Sequence, residues 1–361
     1  MGDYPSRSAS TEAGGSGVTA RHARSAGDGV SPIPPDDRPE NRPPLGGGGA
    51  LPKKARFSME TGFRGLSTAA GVMVLVIIAA IAVFLISKAA PALSANDANF
   101  LTTKEWFPND TPPAFGIAAL AFGTVLSSVI ALLVAVPIAM GIALFLSHYA
   151  PKRLATPLGF IIDLLAAVPS VVFGLWGRDV FSEPVKDFSV WLNKYFSWIP
   201  LFGGEGPFGR SILLGSLVLA IMVLPIVTSL SREVFQQTPG MNEEAALALG
   251  ATKWEMIRTA VLPYGKPGVI ASVMLGLGRA LGETIALALT LGTTFVISFN
   301  LIQSGGNSIA ANIANTFGEA NETGRGALIA SGLVLFAITL VVNMAARAII
   351  YRRREFRDSA A

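Results

Sequence analysis

The stretch Ser211–Lys266 reads SILLGSLVLAIMVLPIVTSL and then SREVFQQTPGMNEEAALALGATKWEMIRTAVLPYGK. Residues 211–230 carry no charged side chain, and about 20 mostly apolar residues is the length of a helix that crosses hydrocarbon. Residues 231–266 are of another kind, with Arg232, Glu233, Glu243, Glu244, Lys253, Glu255, Arg258 and Lys266 set among apolar positions. Asn242 is suited to capping a helix that opens at Glu243–Glu244, whose carboxylates the helix dipole favours in the first turn. Gly250 is suited to ending that helix. Thr252 and Glu255 have the spacing of a capping box for a second short helix, and Pro263 and Pro267 punctuate its end. The sequence predicts a helical hairpin at a membrane surface, with Ala245, Ala246, Leu249, Trp254 and Ile257 as docking positions. Two uses remain open for it: packing on its own bundle, or insertion into a partner.

Working outward, five more segments resemble residues 211–230: Leu66–Ile86, Gly116–Leu146, Leu158–Trp176, Gly268–Leu291 and Gly326–Ile350. The expected fold is an all-α integral membrane protein with six spans in residues 61–355. Composition agrees. Of 361 residues, 51% are hydrophobic and 14% charged, against about 25% charged in a soluble domain; mean hydropathy is +0.52. That balance excludes a purely soluble enzyme. The second span is long enough to tilt or to pass beyond the interface. The third holds Pro169 near its middle and should kink or break there. No cysteine is present, which excludes disulfides, thiolate metal sites and cysteine nucleophiles, and His22 and His148 are the only histidines. No metal or cofactor is expected.

Residues 1–60 are rich in Gly, Pro, Ser, Arg and Asp with no long apolar run. They cannot offset their ordering entropy and are expected to be a disordered tail. Residues 356–361 form a second, short tail. Lys and Arg concentrate on one alternating set of segments, including Lys53, Lys54, Arg56, Lys152, Arg153, residues 231–266 and Arg352–Arg354. The positive-inside rule then puts both termini in the cytoplasm. Trp106, Trp176, Trp191, Tyr195 and Trp198 stand where interfacial anchors would on the opposite side. The Arg352–Arg354 cluster is a topology determinant near anionic lipid, not a nucleic-acid patch.

Two ionisable residues lie inside the fifth span. Arg279 is about 16 Å deep at about 1.5 Å per residue, and Glu283 follows one turn later on the same helical face. Burying such groups costs about 3 kcal/mol each, so they must face protein, water or substrate. One reading is a structural ion pair. The other is an anion site in which the Arg279 fork meets an oxyanion and Glu283 holds the guanidinium. Ser170, after the Pro169 kink, and Thr284 are further hydroxyl donors for the same path, although such hydroxyls also bond their own backbone.

Residues 231–266 resemble the EAA loop of bacterial ABC-importer permeases: Glu244-Ala245-Ala246, Gly250 and Leu262-Pro263 match its spacing, while Ala260 stands where that family has Ile. Phe100–Thr103, Ala166–Gly177, Ser231–Phe235 and Gly278–Thr284 extend the likeness, over about residues 60–355, to the PstC-type permease of the phosphate importer. Arg178-Asp179 and Thr293-Thr294 depart from it at loop edges. The resemblance implies inorganic phosphate as substrate, a translocation path including Arg279, Glu283, Thr284 and Ser170, and a coupling loop built on Glu244, Ala245, Ala246, Gly250, Trp254, Leu262 and Pro263. It also implies a PstA-type sister permease, a PstB-type ATPase dimer and a PstS-type phosphate-binding protein. No Gly-x-x-x-x-Gly-Lys-[Ser/Thr] string occurs, so ATP hydrolysis is expected on a partner and the chain itself is not an enzyme. A permease for sulfate or molybdate, and an ion-coupled carrier without an ATPase, are the alternatives.

Overall fold

The computed structural model describes residues 59–358; residues 1–58 of the expected tail, and 359–361, lie outside the described residues. In chain order there follow α1 (Met59–Ala95), the two-residue strands β1 (Trp106–Phe107) and β2 (Ala114–Phe115), α2 (Ala118–Leu144), α3 (Lys152–Ala166) and α4 (Ser170–Trp176). Then come α5 (Ser182–Phe196), α6 (Ile212–Gln236), α7 (Gly240–Ala248), α8 (Lys253–Met256), α9 (Leu262–Leu281), α10 (Ile285–Thr290), α11 (Ile309–Thr316) and α12 (Glu322–Asp358). π turns extend α2 to Tyr149 and join α4 to α5 and α8 to α9. The chain divides into two units, Met1–Phe63 and Arg64–Ala361, and the packing below lies within the second.

Among the described residues, five helices are long and apolar enough to cross a membrane: Gly62–Ala95, Ala118–Tyr149, Ile212–Gln236, Lys253–Leu281 and Glu322–Ala348. A sixth candidate is the pair Lys152–Ala166 and Ser170–Phe196, bent by 89°. The bend falls at Pro169, whose ψ of 138° is extended; proline also pushes the preceding residue out of the helical region.

α6 is the centre of the bundle. Leu214, Val218, Leu219, Met222, Val223 and Val227 are buried along it, with α2, α9 and α3 packed around it. α2 presents a buried small-residue stripe, Gly123, Ser127, Ala131, Ala135, Ala139 and Ala143, one residue every four. Spacing of this kind lets backbones approach closely in a membrane, where dispersion contacts replace the hydrophobic drive. α9 approaches α6 as closely at Gly276: a Cβ there would come 2.8 Å from Val223 and 2.9 Å from Val227.

Two expectations are corrected. The fifth span is not one helix over 268–291: α9 stops at Leu281, and α10 starts at Ile285 after a break. Trp106 is not an interfacial anchor but 6% exposed, its ring 5.7 Å from that of Phe115 and 6.5 Å from that of Phe295. Trp198, by contrast, is 78% exposed. Beyond α10 the chain runs without helix to Ser308. It bonds back to the segment before α6 through Leu301 N–H to the Leu201 carbonyl and Gly305 N–H to the Arg210 carbonyl. Irregular backbone within a membrane protein needs such internal partners.

Candidate functional site

The break at Gly282–Thr284 holds two of the candidate path residues, Glu283 and Thr284. The Gly282 N–H still reaches the Gly278 carbonyl at 3.3 Å, closing α9. Glu283 is 7% exposed, and its Oε1 accepts from the Ala286 N–H at 3.2 Å. It therefore caps the first turn of α10, satisfying a donor that the new helix end leaves free. The Thr284 hydroxyl donates to the Gly282 carbonyl at 3.1 Å. The expected Arg279–Glu283 pair on one helical face is thus overturned. The face ends at Leu281, and among the described residues the ion pairs are His148–Glu243, Arg178–Asp179 and Lys186–Glu183.

Arg279 has a different setting. Its Nε is buried and has no hydrogen-bond partner. The side chain lines a groove of about 670 Å³ between α9 and α12, with Met274, Gly278, Asn343 and Arg347 among its neighbours. Two guanidinium groups line this groove and no carboxylate does. Arg347 was not among the candidate path residues of the sequence. Its signal was there: Asn343 and Arg347 are four apart, hence on one face of an otherwise apolar helix.

α4 and α10 run side by side. A Cβ at Gly174 would come 2.8 Å from the Ala286 Cα, and one at Gly177 would come 3.2 Å from Thr290. The two proximities make the helices parallel. Ser170, the first residue of α4, thus stands at the same end of the pair as the break. Both helices begin there, which is where broken membrane helices present free N–H groups.

The hairpin is also partly re-read. α7 begins at Gly240, three residues before Glu243, so Asn242 lies within the helix and does not cap it. Gly250 has φ +85° with open space around its Cβ direction; the backbone conformation, not crowding, calls for glycine. The capping box forms: the Glu255 N–H donates to the Thr252 hydroxyl at 3.3 Å, and the Thr252 N–H to Glu255 Oε2 at 2.8 Å. The docking positions divide. Ile257 is buried with Met256, Val261, Phe235 and Ala143 at the ends of α2 and α6. Leu249 points outward, 90% exposed. Glu244, Ala245, Trp254 and Pro263 are exposed, while Ala246 and Leu262 are half-buried. Ala245, Leu249, Ala260 and Pro263 line a groove of about 500 Å³, which alanine at 260 leaves wider than isoleucine would. α7 is tied to the end of α2 by His148, whose Nε2 lies 3.4 Å from Glu243 Oε1 and whose Nδ1 lies 2.7 Å from the Ser147 hydroxyl.

Residues 135–355 match the family described as binding-protein-dependent transport system inner membrane component. The chain is 48% identical over 292 residues to the phosphate transport system permease protein PstC 2 of Mycobacterium tuberculosis, covering 80% of this chain and 90% of that protein. It is 47% identical to PstC of Mycobacterium leprae, over 74% of this chain and 86% of that one. Its identity to PstC of Xylella fastidiosa is 41%, over 80% and 90%. With spans and sequence in agreement, the chain belongs to the binding-protein-dependent transport system inner membrane component family, in its PstC-type branch, and is a multi-pass membrane permease subunit.

Proposed function

We propose that this chain, paired with a PstA-type sister permease, forms the translocation path for inorganic phosphate import. ATP hydrolysis on a PstB-type dimer drives it, and a PstS-type binding protein delivers the anion. The names of the relatives support phosphate as the substrate. The observation that carries the site is Arg279: a buried, unpartnered Nε on a groove that Arg347 also lines and no carboxylate does. An unsatisfied guanidinium donor costs about 1–3 kcal/mol, and an oxyanion passing the groove relieves it through charge-assisted hydrogen bonds. Ser170 and Thr284 are the hydroxyls at the neighbouring helix starts. Glu283 acts by holding the α10 terminus, which keeps a second negative charge off the anion.

Glu244, Ala245, Gly250, Trp254 and Pro263 form the outward surface for the ATPase, with Ala246 and Leu262 at its base. Both termini then lie in the cytoplasm, as the Lys and Arg distribution requires. The test is initial phosphate uptake per assembled complex in Arg279→Lys, Arg279→Gln and the double variant Arg279→Gln/Glu283→Gln. All should assemble and transport near background, since lysine lacks the planar fork and neutralising Glu283 restores no cation. Near-normal uptake by the double variant would leave Arg279 a structural residue. Competition by unlabelled phosphate but not by sulfate or molybdate checks the substrate.

A further inference from the structure

α1 and α12 meet at one membrane face. A Cβ at Gly326 would come 2.6 Å from Ala92 and 3.2 Å from the Lys88 carbonyl oxygen, so the two helices touch there. Beside this contact is an open groove of about 790 Å³ whose charged lining is Lys88, Arg325 and Glu322. None of the three is in an ion pair among the described residues, which leaves the groove with one net positive charge. The Arg325 guanidinium carbon sits 5.8 Å over the Phe317 ring, which holds the cation at the groove rim.

The same two helices form a second cleft deeper in the span. Ile78, Ile81, Ala82 and Leu85 of α1 face Phe336 of α12 across about 260 Å³. Lys88 to Ile81 is seven residues along α1, and Ile329 to Phe336 is seven along α12. Each is about two turns, or 10 Å, leading from the charged groove into hydrocarbon. A basic pocket at the interface, with an apolar cleft about two turns away between the same two helices, matches one class of molecule, a phosphodiester headgroup attached to an acyl chain.

We propose that an anionic glycerophospholipid occupies this site, its phosphodiester on Lys88 and Arg325 and one chain against Ile81, Leu85 and Phe336. The surface of α1 favours this occupant. Its apolar span is not buried by the rest of the protein, so a lipid wedged in the cleft supplies contacts to α12 that the protein does not. The net charge of the groove matches a headgroup with a single negative charge.

The experiment uses the assembled complex in nanodiscs containing phosphatidylglycerol or phosphatidylcholine with the same chains, then counts the lipid retained after detergent exchange by mass spectrometry. Phosphatidylglycerol should be retained and phosphatidylcholine lost. Lys88→Gln and Arg325→Gln should each lower retention about fivefold, and together about thirtyfold. Ile81→Trp fills the cleft without changing charge and should also release the lipid. Millimolar inorganic phosphate should not displace it, because a free anion gains nothing from the apolar cleft. Undiminished phosphatidylglycerol in the double charge variant, equal retention of phosphatidylcholine, or release by inorganic phosphate would each overturn the proposal. Should the charge variants fail to assemble, wild-type retention in Ile81→Trp overturns it independently.

Discussion

α6 and the α9–α10 segment are neighbours with opposite solutions for their backbone. α6 runs unbroken from Ile212 to Gln236 through an internal Pro225, with protein on most sides. α9 also tolerates an internal proline, Pro267, yet stops at Leu281, where no proline stands. The difference is in what the surroundings supply. In α6 the helix satisfies itself and buried Val and Leu residues hold it. At the break, a glycine, a buried carboxylate and a threonine hydroxyl take up the freed groups. A membrane helix ends where partners for its backbone exist, and the ends so created are available for polar work.

The largest test of this contrast is Gly174→Val. The added carbons meet the Ala286 backbone, which cannot yield as a flexible side chain would. The α4–α10 pair should separate, with uptake falling more than about tenfold while α6 keeps the protein in the membrane, as overpacking of about 1–3 kcal/mol permits. Normal uptake would detach that helix pair from the path.

Gly250→Val should come next. A β-branched residue at φ +85° is strained by about 1–2 kcal/mol. Phosphate-stimulated ATP hydrolysis of the assembled complex should drop about five- to thirtyfold with membrane levels unchanged. Stimulation at the wild-type rate would remove the hairpin from coupling.

Glu283 separates capping from pairing. Gln keeps an oxygen for the Ala286 N–H, so Glu283→Gln should transport within about threefold of wild type. Glu283→Ala loses the cap, about 0.5–2 kcal/mol, and should be the worse of the two in uptake and in thermal stability. The reverse order, with Gln as damaging as Ala, would show that the charge matters and bring the ion-pair reading back.

The smallest effect is expected on the exposed face of α1. Leu75, 67% exposed and apart from the lipid cleft, should tolerate alanine with a stability change within about 0.5 kcal/mol. A large loss there would mean that α1 is covered by another subunit.

Much of this was legible in order along the chain. Apolar runs of about 20 residues have few alternatives to membrane helices, because hydrocarbon offers no partner to an open backbone. The Pro169 interruption, the left-handed Gly250 and the Thr252–Glu255 capping box are local features, set by ring closure, a missing Cβ and a three-residue spacing. Local sequence was enough for each. The break after Leu281 was not legible, because α6 and α9 carry prolines and glycines inside continuous helices. The new helix α10 packs against Gly174 of α4 and Gly177 just beyond it, segments more than a hundred residues away in the chain, and no local signal marks that fit.

The same division runs through the site. From the sequence, Arg279 and Glu283 could only be recognised as costly inside a membrane, and helical spacing joined them as a pair. Tertiary structure separated them, giving Glu283 to the end of α10 and Arg279 to a groove lined also by Arg347. Likewise the hairpin positions Leu249 and Ile257 were equivalent as apolar residues until the ends of α2 and α6 buried one and left the other exposed. The reason is physical. Residue type and spacing determine what a group costs when taken out of water, whereas the partner that offsets this cost comes from whichever distant segment packing brings alongside.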